Sequence, residues 1–331
     1  MKNTTINTNV LSKDYLNNIV PINLLESPVK SISTGNFLLD KEIGCGGIPK
    51  GRITEIYGNE SCGKTTLSLQ IAKEATLAFK KVLYVDLEYA LDINYVKSIG
   101  INMEHFYVAH ARSGENAFGI IEDALNNQSF DLIIIDSVAA MVPEDDTESK
   151  FEDNAILGAH ARLMSRGIKR IQMPLSAGKT ALIFINQVRE KIGVMFGNPE
   201  TTTGGKALKY YSSLRLEIKK VELIKNGNEK IGIKSKITVV KNKMARPFGQ
   251  AFINIYFGEG FDYTSDLLES AISMEIIKKS GSWFSYNGEN LAQGFNQLKI
   301  YAKNNPKWFE EIKNICLNNL NNSLLSDSKF I

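Results

Sequence analysis

The sequence predicts an α/β protein with a central, mostly parallel, twisted sheet, a short N-terminal arm and a small α+β C-terminal domain. Three observations carry that expectation. From about Ser31 to Gly260, strand-like runs alternate with helically spaced stretches, the order that crossover helices over a parallel sheet produce. Several of the runs are apolar on both faces, as strands covered by helices on each side tend to be. The run Ile53–Tyr57 leads into a glycine loop, Gly58-Asn59-Glu60-Ser61-Cys62-Gly63-Lys64-Thr65, and then into a stretch with Leu67, Ile71, Ala75 and Ala78 at helical spacing.

In chain order, residues 1–30 are rich in Asn, Ser and Thr, carry a short helical pattern around Leu11 to Val20, and are interrupted by Pro21 and Pro28. They read as an arm outside the core. The core, 31–260, has expected strands at Ile53–Ile56, Val82–Val85, Leu132–Ile135, Leu182–Ile185, Leu214–Ile218, Ile237–Val240 and Phe252–Tyr256. From Phe261 to the end, 261–331, short helical patterns return, with aromatic residues at Trp283, Phe284, Tyr286, Phe295, Tyr301 and Trp308. That stretch reads as a separate small domain.

Composition bounds the function. Of 331 residues, 43% are apolar and 23% charged, ordinary values for a globular chain able to bury a core. The net charge of +3 is too small to mark a nucleic-acid binder by itself, so any basic surface must be local. Three cysteines without a CxxC pair argue against a disulfide framework and a zinc site, and fit a reducing compartment. No apolar run approaches the ~18 residues of a membrane span, and the N-terminus has no apolar signal core. The expected location is the cytoplasm, with no membrane partner.

The glycine loop fits the phosphate-binding pattern of glycine, four residues, glycine, lysine and a hydroxyl residue, in the strand–loop–helix context that supports it. Backbone N–H groups of Ser61, Cys62, Gly63 and Lys64 would converge on phosphate oxygens at a helix N-terminus. Lys64 would meet the β- and γ-phosphates and the Thr65 hydroxyl a magnesium ion. The candidate nucleotide contacts thus run from Gly58, Asn59 and Glu60 through Thr66. Asp136 ends an apolar strand, a placement that suits a magnesium-water ligand beside the loop. Glu88 follows a second strand ending in carboxylates and is placed to orient or deprotonate an attacking water; the residues alone leave a solvated loop carboxylate equally open. Asn186-Gln187 follow a third apolar strand, where an amide either senses the γ-phosphate or caps the strand end.

The runs STGNFLLD (33–40), GRITEIYGNESCGKTTLSLQ (51–70), DLEYALD (86–92), IIIDSVAAMVP (135–143), FINQVREKIGVMFGNPETTTGGKALKYY (184–211) and VVKNKMARPF (239–248) resemble bacterial RecA recombinases, a likeness that extends from about residue 31 to residue 310. The run at 184–211 is far more specific than a phosphate loop. The resemblance implies a RecA-type P-loop ATPase core using ATP and Mg2+. It makes Glu88 the water-activating glutamate, and Gln187 the amide that couples the γ-phosphate to a DNA loop. It puts Asp92 and Tyr95 on the adenine side. It also implies that Lys241 and Lys243 reach the nucleotide of a neighbouring subunit, so that ATP lies between protomers of a homo-oligomeric helical filament.

The stretch Arg189–Gly205 shows no strand or helix pattern, and a structureless loop of that length is usually functional or disordered. Arg189 and Lys191 can neutralise phosphates. Gly204 and Gly205 permit close backbone approach, and an aliphatic wedge such as Ile192 can separate bases. By resemblance this is the second DNA loop, continuing to Lys206, with Ile192 inserted between base triplets. Arg162, Ser165 and Lys169 sit at helical spacing and match positions that hold the strand's phosphates. A first DNA loop is expected between Glu144 and Gly158, where Ile156-Leu157 replaces the usual pair. Lys219, Lys220 and Lys236 match cations of a secondary DNA site, while Thr238 and Phe295 stand where cations are usual. The arm is shorter than in the family and the acidic tail is absent.

The implied activity is ATP-dependent homologous pairing and strand exchange on single-stranded and double-stranded DNA in recombinational repair. DNA-dependent ATP hydrolysis accompanies it, together with a co-protease role toward a LexA-type repressor in the SOS response. Two other readings fit a phosphate loop on this fold: a hexameric DNA helicase, or a DNA scaffold that binds ATP and hydrolyses it poorly. The run FGNPETTTGG argues against the first, and Lys64, Asp136 and Glu88 together argue against the second.

Overall fold

The computed structural model describes residues 29–144, 158–190 and 200–327. In chain order the first elements are β1 (Ser31–Ile32), α1 (Phe37–Ile43), β2 (Ile48–Pro49), β3 (Ile53–Gly58), α2 (Lys64–Leu77), β4 (Val82–Asp86), α3 (Ile93–Ile99), β5 (Phe106–His110), α4 (Gly114–Asn126) and β6 (Leu132–Asp136). There follow α5 (Ala159–Ala177), β7 (Ala181–Glu190), β8 (Glu200–Thr202), α6 (Ala207–Tyr211), β9 (Leu214–Asn226), β10 (Glu229–Asn242), β11 (Gln250–Tyr256) and β12 (Gly260–Phe261). The last elements are α7 (Tyr263–Ser273), β13 (Lys278–Ser280), β14 (Trp283–Tyr286), β15 (Glu289–Gln293), α8 (Phe295–Asn304) and α9 (Pro306–Asp327).

Among the described residues the centre is a ten-stranded sheet in the order β12-β11-β10-β9-β3-β7-β6-β4-β5, with β8 attached to β7. From β9 to β5 the neighbours are parallel. From β9 outward to β12 they are antiparallel. Strand alternation sends successive residues to opposite faces, and both faces are covered. Leu132 and Ile134 join the layer under α1, α2 and α3, whereas Ile133 and Ile135 join the layer under α4 and α5. That two-sided burial is why the strands lack polar alternation. A third core gathers Leu267, Phe284, Leu298, Ile312 and Cys316 around the antiparallel sheet β13–β15, and Phe37 of α1 packs into it. No helix among the described residues is long and apolar enough to cross a membrane.

Two expectations need correction. The edge strand β5 went unrecognised because Tyr107, Val108 and His110 are exposed and its sequence has no buried stripe. The stretch Arg189–Gly205 is not wholly without regular structure. β7 continues to Glu190 and β8 returns against it, pairing Val188 with Thr202 and Arg189 with Thr201. Backbone pairing supplies an order that the polar side chains do not signal. Residues 1–28 of the arm, the expected first DNA loop from residue 145 to 157, Lys191 and Ile192 lie outside the described residues.

Candidate nucleotide and DNA site

β3 ends at Gly58, where a side chain is excluded: a Cβ would come within 2.2 Å of the Ile218 carbonyl and 2.9 Å of the Cys62 sulfur. The chain then turns through Ser61 (φ 55°) and Gly63 (φ 100°) into α2. Gly63 is the second position that favours glycine, since its left-handed φ strains any other residue and an added Cβ would meet the end of the Ile255 side chain at 2.3 Å. Cys62 is buried, its carbonyl accepts from Ser235 Oγ at 2.8 Å, and burial raises its thiol above the ordinary range. The thiol is thus an inert packing group. Asn59 and Glu60 are exposed, and Lys64 Nζ donates to the Asn59 carbonyl at 2.7 Å. These turns leave the backbone amides at the start of α2 as an anion-receptive helix end.

A cavity of about 360 Å³ beside this loop is lined by Thr65, Tyr84, Asp86, Glu88, Asp92, Tyr95 and Asp136, among others. It gathers residues spread over seventy positions because β4 and β6 are parallel neighbours in register, Asp86 beside Asp136. Thr65 Oγ1 donates to Asp136 Oδ2 at 2.8 Å and the Tyr84 hydroxyl donates to the same oxygen at 2.6 Å. Burial pushes the Asp136 carboxyl above the usual carboxylate range, while those two hydroxyls pull it back down. Such an oxygen-only pair suits magnesium, which takes one or two protein oxygens and completes its shell with phosphate and water. Thr66 Oγ1 lies 3.0 Å from the Tyr95 hydroxyl, and Asp92 caps α3 by accepting from Asn94 N at 2.8 Å.

Glu88 sits on a clamped loop. Asp86 accepts from the backbone of Glu88 at 3.1 Å, of Ala90 at 3.4 Å and of Leu91 at 3.1 Å. Ser137 Oγ donates to Glu88 Oε1 at 2.5 Å. Tyr84, Asp86 and Ser137 were not singled out from sequence. A tyrosine inside VLYVD reads as core, whereas the doubled carboxylates of DLE were a usable signal for Asp86.

Gln187 is level with the phosphate loop, since β3 and β7 pair Gly58 with Gln187. Two residues later the same strand reaches exposed Arg189. Beside it, Asn186 Nδ2 donates to Glu55 Oε1 at 2.9 Å and to the Thr203 carbonyl at 3.0 Å. Glu55 also holds Arg215 in a buried ion pair, and the guanidinium lies 4.5 Å from the Tyr57 ring centroid. Breaking such a pair would leave a buried charge uncompensated, so β7, β3 and β9 are locked where β8 leaves the sheet.

Where DNA contacts are expected, Gly204 and Gly205 have φ of 87° and 74° and pack on α5: an added Cβ would meet Met164 at 3.1 Å and Ala161 at 2.9 Å respectively. Arg162, Ser165 and Lys169 lie on α5 itself and Lys206 caps α6. The structure therefore brings Arg189, Gly204, Gly205 and Lys206 to the end of the sheet near the first turns of α5. Lys241 and Lys243 are elsewhere. Lys241 lies in the last part of β10, paired with Arg215, and Lys243 follows Asn242, whose partner Leu214 in turn pairs with Thr54 at the start of β3. Lys241 Nζ donates at 2.9 Å to the carbonyls of Lys209 and Tyr210, and burial lowers its pKa. Lys243 is exposed. Neither is brought to the phosphate loop of its own chain.

The fold and the glycine loop define a nucleotide-binding P-loop protein of the α/β class. Family comparison agrees and is more specific. The model described as the RecA N-terminal domain matches residues 11–262, and that of the RecA C-terminal domain matches 265–321. The chain is 54% identical to Protein RecA of Malacoplasma penetrans over 284 residues, 86% of each chain. It is 49% identical to Protein RecA of Ureaplasma parvum serovar 3 over 297 residues, 90% of this chain and 89% of the relative. It is 46% identical to Protein RecA of Aquifex aeolicus over 295 residues, 89% and 85% of the two chains. The chain belongs to the RecA family. The recombinase reading stands with it, and neither the helicase nor the weakly hydrolysing scaffold is favoured.

Proposed function

We propose that the chain is an ATP-dependent recombinase that assembles as a filament on single-stranded DNA, hydrolyses ATP when DNA is bound, and exchanges homologous strands. The observation that carries this reading is the pairing of Gly58 with Gln187. It sets a polar amide level with the phosphate loop on the strand that runs directly to Arg189.

In this reading Lys64 and the amides of Ser61 to Lys64 bind the phosphates, and Thr65 and Asp136 hold magnesium. The metal supplies charge neutralisation on the phosphates. Asp92 and Tyr95 flank the base. Glu88, its loop held by Asp86 and one oxygen held by Ser137, orients and deprotonates water. The protein does little covalent work here; positioning and electrostatics carry the step. Gln187 shifts the β7–β8 segment when a γ-phosphate is present, a local change of the kind that moves a segment between two states. Arg162, Ser165, Lys169, Arg189, Lys191, Ile192, Gly204, Gly205 and Lys206 hold the DNA. Lys241 and Lys243, remote from their own loop, serve the neighbour's nucleotide. The division into an arm at 1–30, a core at 31–260 and a C-terminal domain at 261–331 fits this plan, as do a cytoplasmic setting and action on a LexA-type repressor.

The test is joint-molecule formation between a single-stranded circle and a linear duplex, with ATP and magnesium. The reading requires products only when the two are homologous. Unwinding of a forked duplex without homology, by closed rings, would support the helicase instead.

A further inference from the structure

The antiparallel side of the sheet presents an outer face that the fold leaves in an unfavourable state. Register aligns Lys219, Lys236 and Phe252 in one row across β9, β10 and β11. Their side chains share a face, because the alternate positions Ile237, Ile253 and Ile255 are buried on the other side. Two like charges stand directly opposite, which destabilises a sheet. Next to them Phe252 keeps 39% of its surface exposed in mid-strand. Lys234, two positions along the same face, holds its ammonium 5.6 Å from the Phe252 ring centroid. Glu217 offsets Lys219 at 3.2 Å, and Glu269 interacts with Lys234; Lys236, the cross-strand partner of Phe252, stands beside the ring.

A flexible polyanion with flat apolar faces relieves both defects at once. Lysines meet phosphates, and an exposed ring stacks on an unpaired base. A duplex offers no unstacked base, so the ligand chemistry is a single strand. The face also continues into the DNA end of the sheet. A cavity of about 600 Å³ is lined by Thr202, Gly205 and Lys206 at one end and by Glu217 and Val240 at the other, and Glu217 is the partner of Lys219. Lys220 does not belong here. Its register partner Ser235 is buried and bonds to Cys62, so Lys220 turns toward the phosphate loop.

We propose that Phe252, framed by Lys234, Lys236 and Lys219, is a base-stacking platform that holds a second single strand beside the first. The lysines at 219 and 236 match secondary-site cations; Phe252 and Lys234 carry the new assignment, which rests on the recombinase reading. It gives the second strand a sequence-tolerant grip on its bases as well as on its phosphates.

The test uses filaments of the full chain on an unlabelled thymidine oligonucleotide with a slowly hydrolysed ATP analogue. A second oligonucleotide carrying 2-aminopurine is then titrated in. Phe252→Ala should weaken second-strand binding about tenfold and abolish the stacking change in 2-aminopurine fluorescence, without altering the salt slope. Phe252→Trp should restore both. Lys236→Ala should lower the salt slope by about one. First-strand assembly and DNA-stimulated ATPase should stay at wild-type levels in Phe252→Ala. Wild-type second-strand affinity and fluorescence in Phe252→Ala would overturn the platform. So would failure of Phe252→Ala to assemble on the first strand, since the face would then be a contact between protomers. If the wild-type chain itself neither assembles nor hydrolyses with DNA, the recombinase reading has failed and the platform falls with it.

Discussion

The two sides of the sheet present different kinds of surface. On the parallel side, β3, β4, β6 and β7 all end at one edge, so Gly58, Asp86, Asp136 and Gln187 meet there although they are far apart in sequence. That edge is a concave cleft with helix α2 pointing at it, suited to a compact, highly charged ligand. On the antiparallel side, β9, β10 and β11 alternate in direction. No common edge of strand ends forms, and what is offered is a broad face with rows such as Lys219, Lys236 and Phe252. A flat, repetitive face suits a polymer. Strand direction thus decides which side offers a cleft and which offers a broad face, and β7 runs from the level of Gly58 to its pairing with β8.

The comparison is broken most sharply at Glu88. Glu88→Gln keeps shape and removes basicity, so nucleotide binding should persist while hydrolysis slows by at least ~100-fold. Rates from a coupled assay within a few-fold of wild type would mean that the cleft's carboxylate is not the base. Next is the division of labour between protomers. Lys243→Ala should lower DNA-stimulated turnover by roughly 100-fold, as loss of a charge-stabilising donor does. Lys243 is chosen over Lys241 because Lys241 also caps α6. Mixing Lys243→Ala with Lys64→Ala should restore part of the activity wherever intact halves meet. No recovery in co-assembled mixtures would count against a shared site.

A smaller effect sharpens the account of the metal pair. Tyr84→Phe removes one of the two hydroxyls on Asp136 Oδ2 and should raise the magnesium needed for half-maximal ATPase about tenfold. An unchanged magnesium titration would reduce Tyr84 to packing. A last test concerns the stability of α1 rather than either ligand site. Asp40 is buried and accepts from Ser33 Oγ, Thr34 N and Thr34 Oγ1. Burial outweighs those bonds and raises its pKa from 3.8 to about 7. A raised folded-state value means that Asp40's contribution is fully present below about pH 4. It is lost as pH rises toward 7, by at most roughly 4 kcal/mol. Melting temperatures between those pH values should therefore fall less steeply in Asp40→Asn than in wild type. Parallel curves would remove Asp40 as the source of that slope.

What could be read from sequence follows the same physical divide. The cleft was legible because phosphate binding demands fixed residue types at fixed spacing: Gly58, Gly63, Lys64 and Thr65 in a row, then apolar strands closed by Glu88, Asp136 and Gln187. Tyr84 and Ser137 were not, because their role depends on which strands become neighbours. β8 escaped notice because backbone pairing, not side-chain pattern, makes it. The basic face was half legible. Lys219 and Lys220 are adjacent in a strand and so must point to opposite faces, but that Lys219 joins Lys236 and Phe252 emerges only from the register of β9, β10 and β11.

The central claim is that Gln187 connects the cleft to the DNA segment. It is tested most directly by the ATPase rate of Gln187→Ala with and without single-stranded DNA, alongside wild type. The account predicts a wild-type rate that rises with DNA. The variant should bind ATP normally yet hydrolyse at the same basal rate whether DNA is present or not. Stimulation of Gln187→Ala by DNA to the wild-type extent would contradict it.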